Sequence, residues 1–518
     1  MDRQRYPIGQ QNFQSIREGN QTYVDKTNLI YKLVNDNSKY VFLARPRRFG
    51  KSLLLSTIQA YFEGKKELFE GLAIYDLEKE WKKHPVFHLQ LTRIDGCSFQ
   101  SLKSLLDQQF REWEEDLEIS PDNPELSPRF SKIIIKSVEK YGEKAVVLID
   151  EYDNPLINTL NDKDLHEKSR NLLKSVYSNL KDLDGYLRFG MLTGVSRFSK
   201  MSIFSGLNNL DDISLDVKYS AICGITEEEV LANFQPGIRN IADTEGWSYE
   251  EAFAALKRNY DGYHFSEDSP DIYNPFSILT AFSKGKIGSY WFATGTPTFL
   301  VERIKEGDFD LPSLMNEEAD STELASTDTS HDSPLALLYQ TGYLTIKDYD
   351  RDLDVYRLGV PNKEVDYGLS RELMRVYQYR DQSKGLKMVR NMVTALRKGE
   401  PDKFMAELQS YYAGIPYVVT GKVSELYFEN NTYIICHLLG YFCGAEYATS
   451  DGRIDLLLQT DKYVYILELK LDGSANEALN QIEEKEYASP FETEGKKIYK
   501  IGIDFSSESR RIKDWKIG

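Results

Sequence analysis

Two short apolar runs, each ending abruptly in charged residues, constrain this chain more than anything else in it. The first, Tyr40-Val41-Phe42-Leu43, leads into Arg45-Pro46-Arg47-Arg48-Phe49-Gly50-Lys51-Ser52. A strand that gives way to a Gly-Lys-Ser turn and then to the helical stretch Leu53 to Phe62 predicts a phosphate-binding loop. In such a loop backbone N–H groups turn inward around an anion, Lys51 reaches the β- and γ-phosphates, and Ser52 ligates magnesium. The following helix points its positive end at the same anion. Arg47, Arg48, Phe49 and Gly50 complete the loop and are assigned to the nucleotide with it. The pattern asks for glycine where Arg45 stands, so the turn is made without its first flexible residue and Pro46 is left to set it. A Gly-Lys-Ser tripeptide by itself is equally a solvated turn.

The second run, Ala145-Val146-Val147-Leu148-Ile149, ends in Asp150-Glu151. A continuous apolar strand is buried on both faces, as in parallel sheets, and ligands bind beyond the carboxyl ends of such strands. Asp150 is placed to hold the magnesium, and Glu151 to polarise the water that attacks the γ-phosphate. A third strand, Leu187 to Leu192, runs into Thr193-Gly194-Val195-Ser196-Arg197-Phe198. From this position P-loop ATPases of the additional-strand class sense the γ-phosphate, which makes Thr193, Ser196 and Arg197 candidates. The plainer reading is a strand exit with a surface arginine. Helical stretches at Phe99 to Glu115, Arg129 to Tyr141 and Glu167 to Leu183 alternate with the strands and predict a covered parallel α/β sheet.

A chain of 518 residues exceeds a single core and predicts three domains. These are a phosphate-loop domain over 1–225, a mostly helical middle domain over 226–405, and an α/β domain over 406–518. In the middle region Thr226-Glu227-Glu228-Glu229 caps a helix, Tyr260-Asp261-Gly262-Tyr263-His264-Phe265 forms an aromatic turn, and the acidic stretch 306–334 reads as a mobile loop or linker. The net charge of −17 excludes a nonspecific grip on DNA or on an anionic membrane over the whole surface. The N-terminus lacks an apolar signal core and no apolar stretch reaches spanning length, so a cytoplasmic protein without membrane contact is expected. Cys97, Cys223, Cys436 and Cys443 form no C-x-x-C pair. The cluster of Cys436, His437 and Cys443 falls on a helical pattern and reads as core rather than as a metal site.

The tail carries a second chemistry. After the helical stretch Glu425 to Gly440, the strands Gly452-Arg453-Ile454-Asp455-Leu456-Leu457-Leu458 and Tyr463 to Lys470 read as a hairpin turning at Gln459 to Lys462. Period-two alternation puts Glu468 and Lys470 on one face, where Asp455 meets them across the hairpin. Asp455 and Glu468 with a backbone carbonyl make a hard-oxygen magnesium site, and Lys470 orients the attacking water and steadies the pentacovalent phosphate. Gln481 approaches from the next helix. Surface hairpins also pair such charges, so the constellation, not the Glu-x-Lys alone, carries the reading of phosphodiester hydrolysis.

Together these motifs resemble the bacterial family of predicted AAA-ATPase-like proteins that carry a C-terminal PD-(D/E)XK nuclease-like domain. Tyr23-Val24-Asp25-Lys26-Thr27, Leu148-Ile149-Asp150-Glu151-Tyr152-Asp153 and Tyr260-Asp261-Gly262-Tyr263 belong to the match with the loop and the tail motifs. The resemblance implies a P-loop NTPase parallel sheet, a helical middle and a restriction-endonuclease-like α/β domain, with ATP and Mg2+ as cofactors. It implies nucleic acid as partner, DNA before RNA, and is compatible with a homo-oligomer. Two functions follow from it. One is an ATP-controlled nuclease, with defence against foreign DNA as a setting. The other is a nucleotide-dependent switch whose tail binds nucleic acid or protein without cutting.

Overall fold

The strands of the first sheet are the apolar runs themselves: β1 (Tyr40–Ala44), β2 (Val86–Gln90), β3 (Ala145–Asp150), β4 (Leu187–Gly194) and β5 (Leu210–Asp212). The computed structural model describes residues 4–91, 98–120, 123–159, 162–197, 209–291, 300, 304, 309–325, 334–378, 382–413, 425–440, 444–447, 455–509 and 511–518. They divide into two units, Met1–Trp291 with Glu318–Asn362, and Phe292–Glu317 with Lys363–Gly518.

In the first unit the sheet is parallel in the order β2-β3-β4-β1-β5. β1 and β3 are buried at every position, as continuous apolar strands require. β4 is inserted between them, which brings the exits of β1, β3 and β4 side by side. Helix Lys51–Phe62 leaves the loop after β1 and packs on β2, β3 and β4. Helices Phe99–Asp116, Leu126–Tyr141 and Lys163–Tyr177 complete the alternation.

The same unit holds the helices Glu227–Asn233, Gln235–Glu245, Tyr249–Tyr260 and Pro275–Lys284. Thr226 and Glu229 form a reciprocal capping box at the first of them. Two small antiparallel sheets accompany them: β6 (Ile225–Thr226) with β7 (Ile272–Tyr273), and β8 (Glu318–Asp320), β9 (Thr345–Asp350) and β10 (Val355–Gly359) in the order β8-β10-β9.

These units cross the boundaries expected at 225 and 405, and the packing says why. The helices after 226 bury their apolar faces with Tyr6, Ile8 and Val24, and Lys26 reaches Glu229 at 2.6 Å. Helix Lys363–Gln378 instead packs along Glu425–Gly440 in the second unit. There the Tyr465 hydroxyl donates to the Leu396 carbonyl at 2.7 Å. The described part of the acidic stretch includes the short helices Leu311–Leu314 and Ser321–Ala325 and strand β8.

The second unit's sheet runs β11 (Gly444–Tyr447), β12 (Leu456–Gln459), β13 (Tyr463–Leu471), β14 (Lys497–Ser506), β15 (Arg511–Ile517) in sequential order. Only β13 and β14 are parallel. Parallel neighbours need a crossover, and helix Ala475–Glu484 supplies it. The helix lies so close to β14 that a Cβ at Gly502 would stand 2.2 Å from the Ala475 carbonyl oxygen. Among the described residues no helix is long and apolar enough to cross a membrane.

Candidate functional sites

Ala44 at the end of β1 is in register with Gly194 of β4, so the loop at Arg45–Gly50 leaves the sheet beside the exits of β3 and β4. Gly50 takes a φ of 96° and Arg48 one of 69°, a left-handed region that glycine enters freely and arginine does not. Lys51 is buried. Its Nζ donates to the carbonyls of Arg45 at 2.8 Å and Pro46 at 3.0 Å. Burial pulls its pKa down, against the charges of Glu151, Asp150 and Asp153. Ser52 follows, half-buried, in the first turn of the helix.

Asp150 is buried and accepts a hydrogen bond from the Thr193 hydroxyl at 2.7 Å. Glu151 sits at a φ of 52°, a conformation in which a non-glycine residue stores strain of about 1–3 kcal/mol. Burial pushes the Glu151 carboxyl up, while Lys51 draws it down. Asp153 accepts the N–H groups of Val195 at 2.9 Å and Ser196 at 2.5 Å. The Tyr152 hydroxyl donates to the Ser196 carbonyl at 2.9 Å, so the exits of β3 and β4 are laced together. Burial raises the Asp153 carboxyl as well.

Thus Lys51, Asp150 and Glu151 share one site, and Asp153, which the sequence pattern left without a role of its own, joins them. Arg197 does otherwise. Its guanidinium pairs with Asp212 of β5 at 3.0 Å and its N–H donates to Gln340 Oε1 at 2.8 Å, so the expected sensor arginine is held by β5. Arg47 exerts its charge on Glu151. Arg48 lies over the Phe276 ring, 5.0 Å from its centroid. Phe49 is buried edge-on against Tyr263 and Phe265 at centroid distances of 4.8 and 5.4 Å. An apolar cavity of about 90 Å3 lies beside Phe49 and Gly50, lined also by Tyr23, Val24, Cys223 and Leu279. Among the tempting metal ligands of the tail, Cys436 is buried and His437 Nδ1 lies 2.5 Å from Asp366. Cys443 lies outside the described residues.

The second constellation assembles on the hairpin. Glu468 and Lys470 share a face of β13, with Lys470 Nζ 3.3 Å from Glu468 Oε1 and 2.6 Å from Gln481 Oε1 on the crossover helix. Asp455, just before β12, accepts the Leu469 N–H at 2.8 Å through Oδ2. Gly452, Arg453 and Ile454 of that motif lie outside the described residues. Glu468 is only 1% exposed, and among the described residues its Oε2 has no hydrogen-bond partner. Burial, then the neighbouring Asp455, pushes its carboxyl up to about 7. Burial raises Asp455 too, against the Leu469 N–H.

A half-buried Asp455 beside a buried Glu468 whose charge it disfavours, with one Glu468 oxygen lacking a hydrogen-bond partner among the described residues, is a donor set that fits a small hard divalent cation. Among the described residues no three His, Cys, Asp or Glu side chains form a ready-made metal cluster. Backbone carbonyl and water would therefore complete the shell.

Comparison with known proteins agrees with both halves. Residues 7–204 match the family model described as predicted AAA-ATPase, and residues 423–515 that of the PD-(D/E)XK nuclease superfamily. An uncharacterized protein from the vnfD 5' region of Azotobacter chroococcum mcd 1 is 35% identical over 521 residues, covering 99% of this chain and 98% of that protein. Among solved structures, the ORC2 protein of Aeropyrum pernix aligns at 12% identity and a TM-score of 0.25, over 72% of this chain and 97% of that one. The chain belongs to the family of predicted AAA-ATPase-like proteins that end in a PD-(D/E)XK nuclease-superfamily domain.

Proposed function

We propose that the chain binds Mg–ATP at the loop after β1 and cuts phosphodiester bonds of nucleic acid, DNA before RNA, at the Asp455–Glu468–Lys470 site under control of the nucleotide. One observation carries the reading: Asp455, Glu468, Lys470 and Gln481 converge, with one buried Glu468 oxygen lacking a hydrogen-bond partner among the described residues. In the nucleotide site Lys51 would bind the β- and γ-phosphates, Ser52 and Asp150 would hold the magnesium, and Glu151 would polarise the attacking water. The apolar cavity beside Gly50 suits the flat face of the base. In the second site Asp455 and Glu468 hold the metal, which when bound supplies Lewis acidity toward the phosphate. Lys470, braced by Gln481, orients the water and meets the charge developing on phosphorus oxygens.

The phosphate loop, the helices after it and the tail act as one cytoplasmic enzyme, with defence against foreign DNA as its setting. The test is magnesium-dependent cleavage of plasmid DNA, single-stranded DNA and RNA, with and without ATP. Cleavage that disappears in Asp455→Ala supports the reading. Equal cleavage by that variant and the unmutated protein assigns the activity to a contaminant.

A further inference from the structure

Arg45 stands where the loop pattern has glycine, and nothing in turn geometry asks for a long cation there. Its guanidinium is nevertheless buried, 2% exposed. Nη1 donates to the carbonyls of Ala44 at 2.9 Å and Ser214 at 2.8 Å, and Nη2 to those of Tyr219 at 3.3 Å and Ser220 at 3.4 Å. The Phe265 ring covers it, with the centroid 4.1 Å away. Burying a charge is costly unless it is bonded; the two terminal nitrogens of this guanidinium meet four carbonyls as lysine cannot, while Nε has no hydrogen-bond partner among the described residues.

The same residue is tied at its backbone. Its N–H donates to the Gly194 carbonyl at 3.1 Å, and its own carbonyl receives Lys51 Nζ at 2.8 Å. The side chain therefore anchors the very peptide on which Lys51 docks. Downstream the loop is held too, with the Trp291 indole N–H on the Arg47 carbonyl at 3.1 Å and the Gly224 N–H on that of Phe49 at 3.1 Å.

We propose that Arg45 is a positioning residue, fixing the first peptide of the phosphate loop to the segment 214–220 and to Phe265 so that Lys51 is set before nucleotide arrives. This rests on the nucleotide reading above. A loop held in its binding-competent form binds with its full intrinsic affinity, whereas a loose one loses affinity in proportion to the time spent elsewhere. Arg45 touches no reacting atom, so its effect falls on binding and not on turnover.

The experiment measures Mg–ATP affinity by calorimetry, together with KM and kcat, in the unmutated chain and in Arg45→Gly, Arg45→Lys and Phe265→Leu, with melting curves alongside. Arg45→Gly, which restores the standard loop residue, should weaken binding about tenfold or more and raise KM alike, with kcat within about threefold. Arg45→Lys should fall between, and Phe265→Leu should weaken binding about threefold, with no further loss when added to Arg45→Gly, because both act through one anchor. Unchanged or tighter binding by Arg45→Gly, or a fall in kcat at constant KM, overturns the inference. Should Arg45→Gly fail to fold, Arg45→Lys and Phe265→Leu decide, and unmutated affinity in both overturns it. Absence of Mg–ATP binding by the unmutated chain would instead overturn the nucleotide reading on which it rests.

Discussion

The two candidate sites are built in opposite ways. The hairpin site draws Asp455, Glu468, Lys470 and Gln481 from one short stretch, by strand alternation and one crossover helix. The phosphate loop is held by partners far along the chain, at Gly194, Ser214, Tyr219, Ser220, Gly224 and Trp291. A locally built site keeps its geometry as long as its own hairpin folds. A site held from so many distant points changes when any of them moves, so under the proposed function the loop is suited to control and the hairpin to chemistry.

That contrast breaks or holds on substitutions of graded effect. The largest loss belongs to Asp455→Ala and Glu468→Ala, where removing a ligand costs several kcal/mol of transition-state stabilisation and so about a thousandfold or more in cleavage rate. Magnesium titration should lose its binding heat in the same variants. Lys470→Ala should keep that heat and still lose cleavage, and retained cleavage would remove the lysine from the chemistry. At the loop, Lys51→Ala gives up charge-assisted phosphate bonds of about 1.5–3 kcal/mol each, so ATP affinity measured by calorimetry should fall about tenfold or more, with hairpin metal binding untouched. Gln481→Ala only unbraces Lys470, and outer-shell partners of this kind are worth about 10–100-fold; a loss of cleavage near the lower end, with metal binding intact, sharpens the division of roles.

The smallest effect is on stability. Asp261, in the aromatic turn, is buried. Burial pushes its carboxyl up to about 7 against the Gly262 N–H and Lys257, with Asp271 and Glu227 repelling its charge. The folded chain therefore binds this proton more tightly than the unfolded one. Its contribution is fully present below the ordinary carboxylate range and is lost as pH rises through about 7. Asp261→Asn should flatten the fall in melting temperature between pH 5 and pH 8, and an unchanged slope would show that the carboxylate is already relaxed by water.

Much of this was legible in the sequence, for physical reasons that differ by region. The runs at Val41 and Val147 announced strands, the second buried on both faces, because short apolar runs that end in turn or charged residues suit a covered parallel sheet. Glu468 and Lys470 announced their common face because alternation is a local property of strands. The capped helix start at Thr226 was visible for the same reason, and the structure adds the reciprocal bond of Glu229. Arg197 was not legible, because its partner Asp212 and the Gln340 that receives its N–H are set by tertiary packing. The roles of Asp153 and Arg45 escaped likewise, the first because its partners Val195 and Ser196 follow a distant strand, the second because a substituted glycine reads as a defect until the carbonyls of 214, 219 and 220 surround it. The middle region's small sheets escaped because their strands are short and pair across long insertions. Its helices were assigned to one domain because amphipathic periodicity shows that a face is buried and not against what.

The proposed function requires that the state of the phosphate loop govern the hairpin. The direct measurement is the cleavage rate at fixed free magnesium with ATP, with ADP and without nucleotide, using Glu151→Gln to hold the ATP-bound state. A coupling free energy of about 1–3 kcal/mol predicts rates that differ roughly 5- to 150-fold between the ATP-bound and empty forms, with Glu151→Gln fixed at the ATP value. Equal rates in all three conditions would contradict the claim and leave two enzymatic modules that merely share a chain.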